Sequence, residues 1–289
     1  MSGERKAPKA QVVRPRRGFA SAIRITLIVP LLLTAYRSPL NAQDDLVAER
    51  SAFALWLASA PDSPLAALAQ QAIGTGLTLG PEDADVPLKS STRMTVREEG
   101  RNVILSQPGA RTPLPRDHLT AIGSYQLRPT GTSGRSVLTV FGPEHRTLIP
   151  SYFPADTHFV TTGSLTKPAS RVAHRILMLD GVETEAIEAG VFTFPLESGP
   201  TNLKVYRIAD EDTGESELVI YFQDLTNGKG SYPAGRFVTL IPRDESTYLL
   251  DFNRSRNPFC AYSSAYACPA PWPGNRLSVE IKAGEKYGN

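Results

Sequence analysis

From Leu77 to its end, the sequence consists of short runs of alternating apolar and polar residues separated by Gly, Pro, Asn and Asp. Alternation with a period of two is typical of strands with one buried face. Pairs such as Asp180-Gly181 lie between the runs and favour hairpin turns. The sequence therefore predicts an all-β fold with minor α, as an antiparallel β-sandwich or a partly open barrel.

Two short N-terminal helices are expected to pack on this β body. Residues 46–58 place four apolar side chains at helical spacing, namely Leu46, Phe53, Trp56 and Leu57. A second helix is predicted over residues 63–74. Its signals are Ser63 as N-cap, Pro64 at the first helical position and Gly74 at the end.

The first 42 residues predict a signal peptide. They contain eight Lys or Arg and one acidic residue, with a twelve-residue apolar run from Ile25. That run is shorter than the roughly 20 residues that cross a bilayer, but it fits the apolar region of a signal peptide cleaved after Ala42. We expect an exported protein, periplasmic or extracellular, with no stable membrane span after cleavage. An uncleaved anchor is the alternative.

Removal of this leader changes the charge of the chain. Subtracting the leader's net charge of +7 from the formal +2 leaves −5 for the remaining 247 residues. Non-specific nucleic-acid binding requires a basic face that displaces counterions from phosphates. We therefore expect no nucleic-acid partner.

The sequence contains two cysteines, Cys260 and Cys268. In an exported chain we expect them to form a disulfide. A zinc site would need further ligands, and the last hundred residues contain no histidine. We expect neither a metal site nor a cofactor.

The C-terminal sequence contains a series of distinctive short motifs. They are DLTNG at 224–228, YPAGR at 232–236, LDFNR at 250–254, NPFCAY at 257–262, CP at 268–269, NRL at 275–277 and AGEK at 283–286. With YFP at 152–154, their order and spacing resemble the DUF1684 family over roughly residues 50 to 286. The resemblance implies an exported bacterial protein and supplies no catalytic residues, because the family has no assigned function.

Four segments are predicted on this basis. Residues 1–42 form the signal peptide, 43–76 a helical N-terminal cover and 77–150 an N-terminal β-module. Residues 151–289 form a C-terminal, DUF1684-like β-module with a disulfide-stapled tail.

Polar and aromatic side chains are dense in this C-terminal module and define the candidate ligand-binding set. Its members are Asp224, Tyr232, Arg236, Asp251, Asn253, Arg254, Asn257, Tyr262, Asn275 and Arg276. One interpretation is a structural network in which arginine forks pair with carboxylates and hold the Pro-rich tail. The other is a pocket that receives a small anionic or sugar-like ligand.

Sequence motifs of known catalytic chemistry are not found: the chain has no H-E-x-x-H, G-x-S-x-G, P-loop or G-x-G-x-x-G. Two hypotheses follow. The first is a non-enzymatic β-domain that binds a small ligand or an envelope protein. The alternative is a hydrolase-like enzyme that uses Asp251 and Asp224 as acid and base in an arginine-lined cleft.

Overall fold

The structure is a computed structural model that describes residues 39–288, except 91, 197–198, 210–215 and 271, with side chains from residue 45 onward. Helix α1 (Pro39–Ser59) buries Phe53 and Leu57 against Leu65 and Tyr262. The first predicted helix is therefore confirmed. It packs on the C-terminal tail, by which we mean residues 252–288. Within the described ranges, no helix is long and apolar enough to cross a membrane.

The second predicted helix is wrong. Ser63 does cap a turn, since its Oγ accepts from the Leu65 N–H at 3.1 Å, but the turn continues into strand β1 (Ala67–Ala72). Strand β1 then pairs with residues 137–141. The capping signal is local, whereas the ladder to a strand about seventy residues later outweighs the helix propensity of the alanines.

Two small sheets form the N-terminal β body and share one apolar core. Their strands after β1 are β2 (Leu77–Gly80), β3 (Val86–Pro87), β4 (Met94–Glu99), β5 (Asn102–Gln107), β6 (Ala110–Leu114), β7 (Thr120–Ile122), β8 (Tyr125–Thr130) and β9 (Val137–Phe141). The first sheet has the order β3-β2-β4-β5-β6, and the second has the order β1-β9-β8-β7. All pairs are antiparallel except β2 with β3.

Six of the seven C-terminal strands close into an antiparallel barrel. The seven strands are β10 (Val160–Thr166), β11 (Ala173–Leu177), β12 (Glu183–Leu196), β13 (Gly199–Ala209), β14 (Ser216–Phe222), β15 (Arg236–Pro242) and β16 (Thr247–Asp251). The ring runs β10-β16-β15-β14-β13-β12 and returns to β10, and β11 pairs with β12 outside the ring. The predicted β-rich class is confirmed, and the described part of the chain has one α-helix where two were predicted.

Closure of the ring depends on a bend in β12. The first part of β12 pairs with β11, its last part pairs with β10, and the register against β13 shifts between Glu188 and Gly190. Gly190 has φ +139°, and a Cβ there would overlap the carbonyl oxygen of Thr166 on β10. A bulge with glycine is therefore what lets one strand serve two neighbours.

Strand β14 explains why the C-terminal tail must cover the barrel. Leu218, Ile220 and Phe222 point into the barrel core, while Val219 and Tyr221 lie on its outer face. The outer residues are buried as well, packed with Trp272 of the tail. A strand that is apolar on both faces needs a second layer, and the tail provides it.

Candidate functional site

The most deeply buried charged group of the tail region is Arg236 on β15, which has no exposed surface. Its Nη2 donates to Asp224 Oδ2 at 2.7 Å and to the Ile281 carbonyl at 2.9 Å. Its Nη1 donates to the carbonyls of Ala283 and Glu285. Burial lowers the pKa of Arg236, and the Asp224 carboxylate opposes that shift.

Asp224 completes this buried Arg236 network. Its Oδ1 accepts from the N–H and the hydroxyl of Thr226 at 2.8 and 2.6 Å, and from the Ile281 N–H at 3.2 Å. The carboxylate has no exposed surface. A buried charge is tolerated when it is paired and hydrogen-bonded, so this network fastens the tail to the barrel.

The carboxamides of Asn275 and Asn253 each form two hydrogen bonds with the backbone of a residue distant in sequence. The Asn275 side chain bonds both the N–H and the carbonyl of Lys204, at 2.7 and 3.0 Å. The Asn253 side chain does the same to Asp156, at 3.0 and 2.9 Å. These amides satisfy the backbone of neighbouring loops in the way that a strand would.

The two cysteines lie together at the outer end of the tail. The Cα atoms of Cys260 and Cys268 are 5.5 Å apart, a separation typical of disulfides. The Tyr232 hydroxyl lies 3.2 and 3.3 Å from their sulfur atoms. Tyr232 is buried here and does not line a cleft.

A small cleft with an internal volume of about 20 Å³ opens between helix α1 and the segment after β16. We call it the arginine cleft because three guanidinium groups line it. Its lining residues are Leu46, Glu49, Arg50, Tyr152, Asn253, Arg254, Ser255 and Arg256.

Local structure places Arg254 and its neighbours at this cleft. Strand β16 ends at Asp251, whose Oδ1 accepts from the Asn253 N–H at 3.0 Å and so starts a 3₁₀ turn over 252–254. Asp251 Oδ2 also accepts from Arg254 Nε at 3.1 Å, and Glu49 of α1 pairs with the same guanidinium. The charge of Arg254 is therefore already matched.

Arg50 and Arg256 differ from Arg254 in their charge pairing. Within the described ranges, no ion pair includes either residue. Arg50 stacks on the Tyr152 ring at 4.3 Å, and Arg256 stacks on the Phe53 ring at 4.6 Å. Stacking orients a guanidinium without using its in-plane N–H groups. In Arg50, one of these groups is used elsewhere, since Nη2 donates to the Asn253 carbonyl at 3.2 Å.

Two buried polar atoms at the cleft add hydrogen-bonding capacity. Arg50 Nε and Ser255 Oγ have no hydrogen-bond partner among the described residues. Buried polar atoms are usually satisfied, so unsatisfied ones beside two guanidinium groups that form no ion pair among the described residues point to a ligand site. The arrangement can hold an anion between two guanidinium groups and a hydroxyl.

Glu285 lies behind this cleft and is 1% exposed. Its carboxylate accepts from the Tyr262 hydroxyl and from the Asn257 N–H, the latter at 2.8 Å. Burial raises the pKa of Glu285 to about 7, while these hydrogen bonds and the nearby Arg256 oppose the rise. Burial also raises the pKa of the adjacent Tyr152 to about 12.

A second cleft lies between the N-terminal body and the loop that the cysteines bracket. Its polar lining is largely committed to backbone: His145 Nε2 bonds the Ala60 carbonyl at 2.8 Å, and Arg146 donates to the Pro64 carbonyl at 3.3 Å. The arginine cleft is therefore the stronger candidate.

The ten residues predicted from sequence do not converge on one pocket. Seven are buried and largely tie backbone or tail together, namely Asp224, Tyr232, Arg236, Asn253, Asn257, Tyr262 and Asn275. Of these, Asn253 also lines the arginine cleft, beside the half-buried Arg254. Asp251 is half-buried behind Arg254, and Arg276 is exposed and lines neither cleft.

Sequence reasoning did not select Glu49, Arg50, Ser255, Arg256 or Glu285 for this site. The two helix residues lie some two hundred positions before the tail, and no local spacing connects them to it. Ser255, Arg256 and Glu285 lie within or next to the family-like motifs. Their residue types alone do not separate them from structural positions.

The fold and its tail define a class: a six-stranded antiparallel barrel with an added N-terminal β body, covered by its own hydrogen-bonded C-terminal segment. The chain belongs to the DUF1684 family, described as proteins of unknown function. The family model matches residues 149–286, which include the barrel and the tail, whereas the motifs in the sequence predict a resemblance that begins at about residue 50.

Among solved structures, the chain is similar to an uncharacterized protein of Haloarcula marismortui whose solution NMR structure is known. The two are 32% identical over 47% of this chain and 75% of that one, with a TM-score of 0.41. No curated protein matches the sequence.

Proposed function

We propose that this protein is an exported, non-enzymatic binder of a small anion, which it holds in the arginine cleft. The observation that supports the proposal is that Arg50 and Arg256 line one cleft with no carboxylate paired to either among the described residues. Guanidinium groups bind carboxylate, sulfate and phosphate oxygens through two parallel N–H groups.

The size of the cleft limits the ligand. Its internal volume of about 20 Å³ is close to the space that one ordered water needs, and far below the roughly 300–1,000 Å³ of sites that take drug-sized molecules. One oxygen atom of a carboxylate, sulfate or phosphate group fits such a space, with the rest of the group in solvent. A sugar acid would bind in the same way, through one oxygen of its anionic group.

The hydrolase alternative needs Asp224 and Asp251 to act on one substrate. Asp224 has no exposed side-chain surface and is bound to Arg236. Asp251 accepts bonds from Asn253 and Arg254. Since the two carboxylates belong to different networks, we favour the binding role.

Export and a Cys260–Cys268 disulfide are parts of the same proposal. The basic leader and short apolar run support export, and the 5.5 Å Cα separation supports the disulfide. Residues 1–38 lie outside the described ranges, and the predicted cleavage point after Ala42 lies within helix α1. The N-terminal sequence and free-thiol content of protein from a native-like host test both points. An uncleaved leader and two free thiols would contradict them.

Equilibrium dialysis with radiolabelled sulfate tests the binding role. Sulfate also stabilises proteins by exclusion from their surface, so direct binding is a better measurement than a melting shift. We expect saturable binding that Arg50→Gln or Arg256→Gln weakens about tenfold or more, since a hydrogen bond to a charged group contributes about 1.5–3 kcal/mol.

Arg276→Gln is the matched control, because Arg276 is exposed and lies outside the cleft. It should bind sulfate as the wild type does. An equal loss in Arg276→Gln, or no saturable binding of sulfate, phosphate and acetate by the wild type, would overturn the proposal. Retained affinity in both cleft variants would do the same.

A further inference from the structure

We infer that an anion in the arginine cleft adds a second negative charge next to the buried Glu285 behind the cleft wall, so that each binding event adds a proton to the Glu285 carboxylate. Glu285 is then a specificity-determining residue for the cleft. This inference rests on the proposed function, because it concerns the same site.

The backbone places Glu285 directly behind the cleft wall. The Glu285 N–H donates to the Ser255 carbonyl at 2.9 Å, and its Oε2 accepts from the Asn257 N–H at 2.8 Å. The residue between those two is Arg256. Glu285 also forms an antiparallel bridge with Tyr152. Three lining residues, Ser255, Arg256 and Tyr152, therefore surround the segment that carries this carboxyl group.

The charged and titratable groups that face Glu285 come from several elements. Arg256 and Arg236 favour its ionised form. The Tyr262 hydroxyl donates to it, and Tyr152 lies on the opposite side with Arg50 stacked on its ring. Since Arg236 is already paired with Asp224, Arg256 is the facing cation that a ligand can engage.

An anion beside Arg256 brings a second negative charge close to Glu285 in a buried setting. Like charges that are close together raise the pKa of a carboxyl group. The pKa of Glu285 is already about 7, so both of its forms are present near neutral pH and a further rise causes proton uptake. The proton comes from solvent, and no bond other than the new O–H is formed.

The sign of the pH dependence follows from linkage. Below pH 7, Glu285 is protonated with or without ligand, so affinity for the anion is high and constant. Above pH 7, binding must bring a proton, and affinity falls by up to about tenfold for each pH unit until the pKa of the bound state is reached.

Sulfate is the probe, because it does not titrate in this range, whereas phosphate does. Dialysis at several pH values gives the affinity, and calorimetry in two buffers of different ionisation enthalpy gives the number of protons taken up. We expect close to zero protons at about pH 5.5 and close to one at about pH 8.

Glu285→Gln should bind sulfate with the low-pH affinity at every pH and without proton uptake. The amide can accept from the Asn257 N–H and donate to the Tyr262 hydroxyl. Glu280→Gln is the matched control, since Glu280 is an exposed carboxylate of the same tail that pairs with Lys282. It should keep the wild-type pH profile.

If Glu285→Gln does not fold, Tyr262→Phe provides a second test. The hydroxyl of Tyr262 favours the ionised carboxylate, so its loss should move the onset of proton uptake to higher pH. Sulfate binding without proton uptake, or the same pH profile in wild type and Glu285→Gln, would overturn this inference alone. Absence of sulfate binding at every pH in both proteins would overturn the proposed function instead.

Discussion

The buried Arg236 network and the arginine cleft both depend on arginine side chains, but the arginines have different roles in the two regions. In the network, both terminal nitrogens of Arg236 donate to buried protein acceptors, and Asp224 provides the opposite charge. In the cleft, Arg50 and Arg256 rest on aromatic rings without a paired carboxylate among the described residues.

The difference shows what distinguishes a structural arginine from one that can bind a ligand. In the network, Asp224 and backbone carbonyls accept from both terminal nitrogens of Arg236, and its buried Nε lacks a partner among the described residues. Removal of either member of the ion pair leaves the other charge buried and unpaired. Stacking at a half-open cleft holds the group in place without a paired carboxylate, and in Arg50 a single hydrogen bond from Nη2 to the Asn253 carbonyl adds to it. Exposure and pairing therefore separate the two, although the residue type is the same.

The largest expected effect comes from breaking the network. Arg236→Met should lower the free energy of unfolding by about 3–5 kcal/mol, because it leaves the Asp224 carboxylate buried without its cation. Urea denaturation measures the change. Arg276→Gln, at an exposed position, should change stability by no more than about 0.5 kcal/mol.

A double variant sharpens this result. Asp224→Asn together with Arg236→Met removes both charges, so its loss should be smaller than that of Arg236→Met alone. A loss equal to or larger than the single variant's would mean that packing, and not the stranded charge, dominates the network.

A change of pH should have an intermediate effect on stability, through Glu285. The carbonyl of this residue accepts from Arg236 in the network, and the residue lies behind the arginine cleft. The pKa of Glu285 is about 7 in the folded protein, against an ordinary value of 4.5. A folded-state pKa that is raised means that the folded state binds more protons between these two values. Stability should therefore fall as pH rises from 4.5 to 7, by about 3 kcal/mol from this residue.

Urea denaturation of wild type and Glu285→Gln at several pH values isolates this contribution, because other titrating groups are shared. The wild type should lose stability relative to the variant over that window, and the difference should level off above pH 7. A constant difference would show that the carboxyl group is not desolvated.

The β class and the position of α1 could be predicted from sequence because they depend on local periodicity. The apolar run of β14 marked a strand, and Phe53 and Leu57 marked a buried helix face. The strand at Ala67–Ala72 could not be predicted, since Ser63 and Pro64 give a helix signal that is overridden by pairing with β9.

For the site, only the part of the chain that contributes to it, the C-terminal tail, could be predicted from sequence. The tail motifs do contain Arg254 and Asn253, which line the cleft. The guanidinium of Arg50, however, comes from α1, and no spacing in the sequence indicates that helix residues meet the tail. The sequence also does not show that Arg236 is buried and paired while Arg256 lines a cleft, because pairing and exposure are properties of the folded chain.

The smallest expected effect on stability lies in the cleft. Glu49→Gln removes the helix partner of Arg254, both side chains being partly exposed at 30% and 24%. Such a pair contributes about 0–1 kcal/mol, so unfolding by urea should change by less than about 1 kcal/mol. The same substitution removes the one carboxylate that lines the cleft, so sulfate affinity should rise a few-fold while stability barely changes. A fall in sulfate affinity, or a loss of stability as large as that of Arg236→Met, would show that the cleft is a second structural network and would remove the contrast between the two regions.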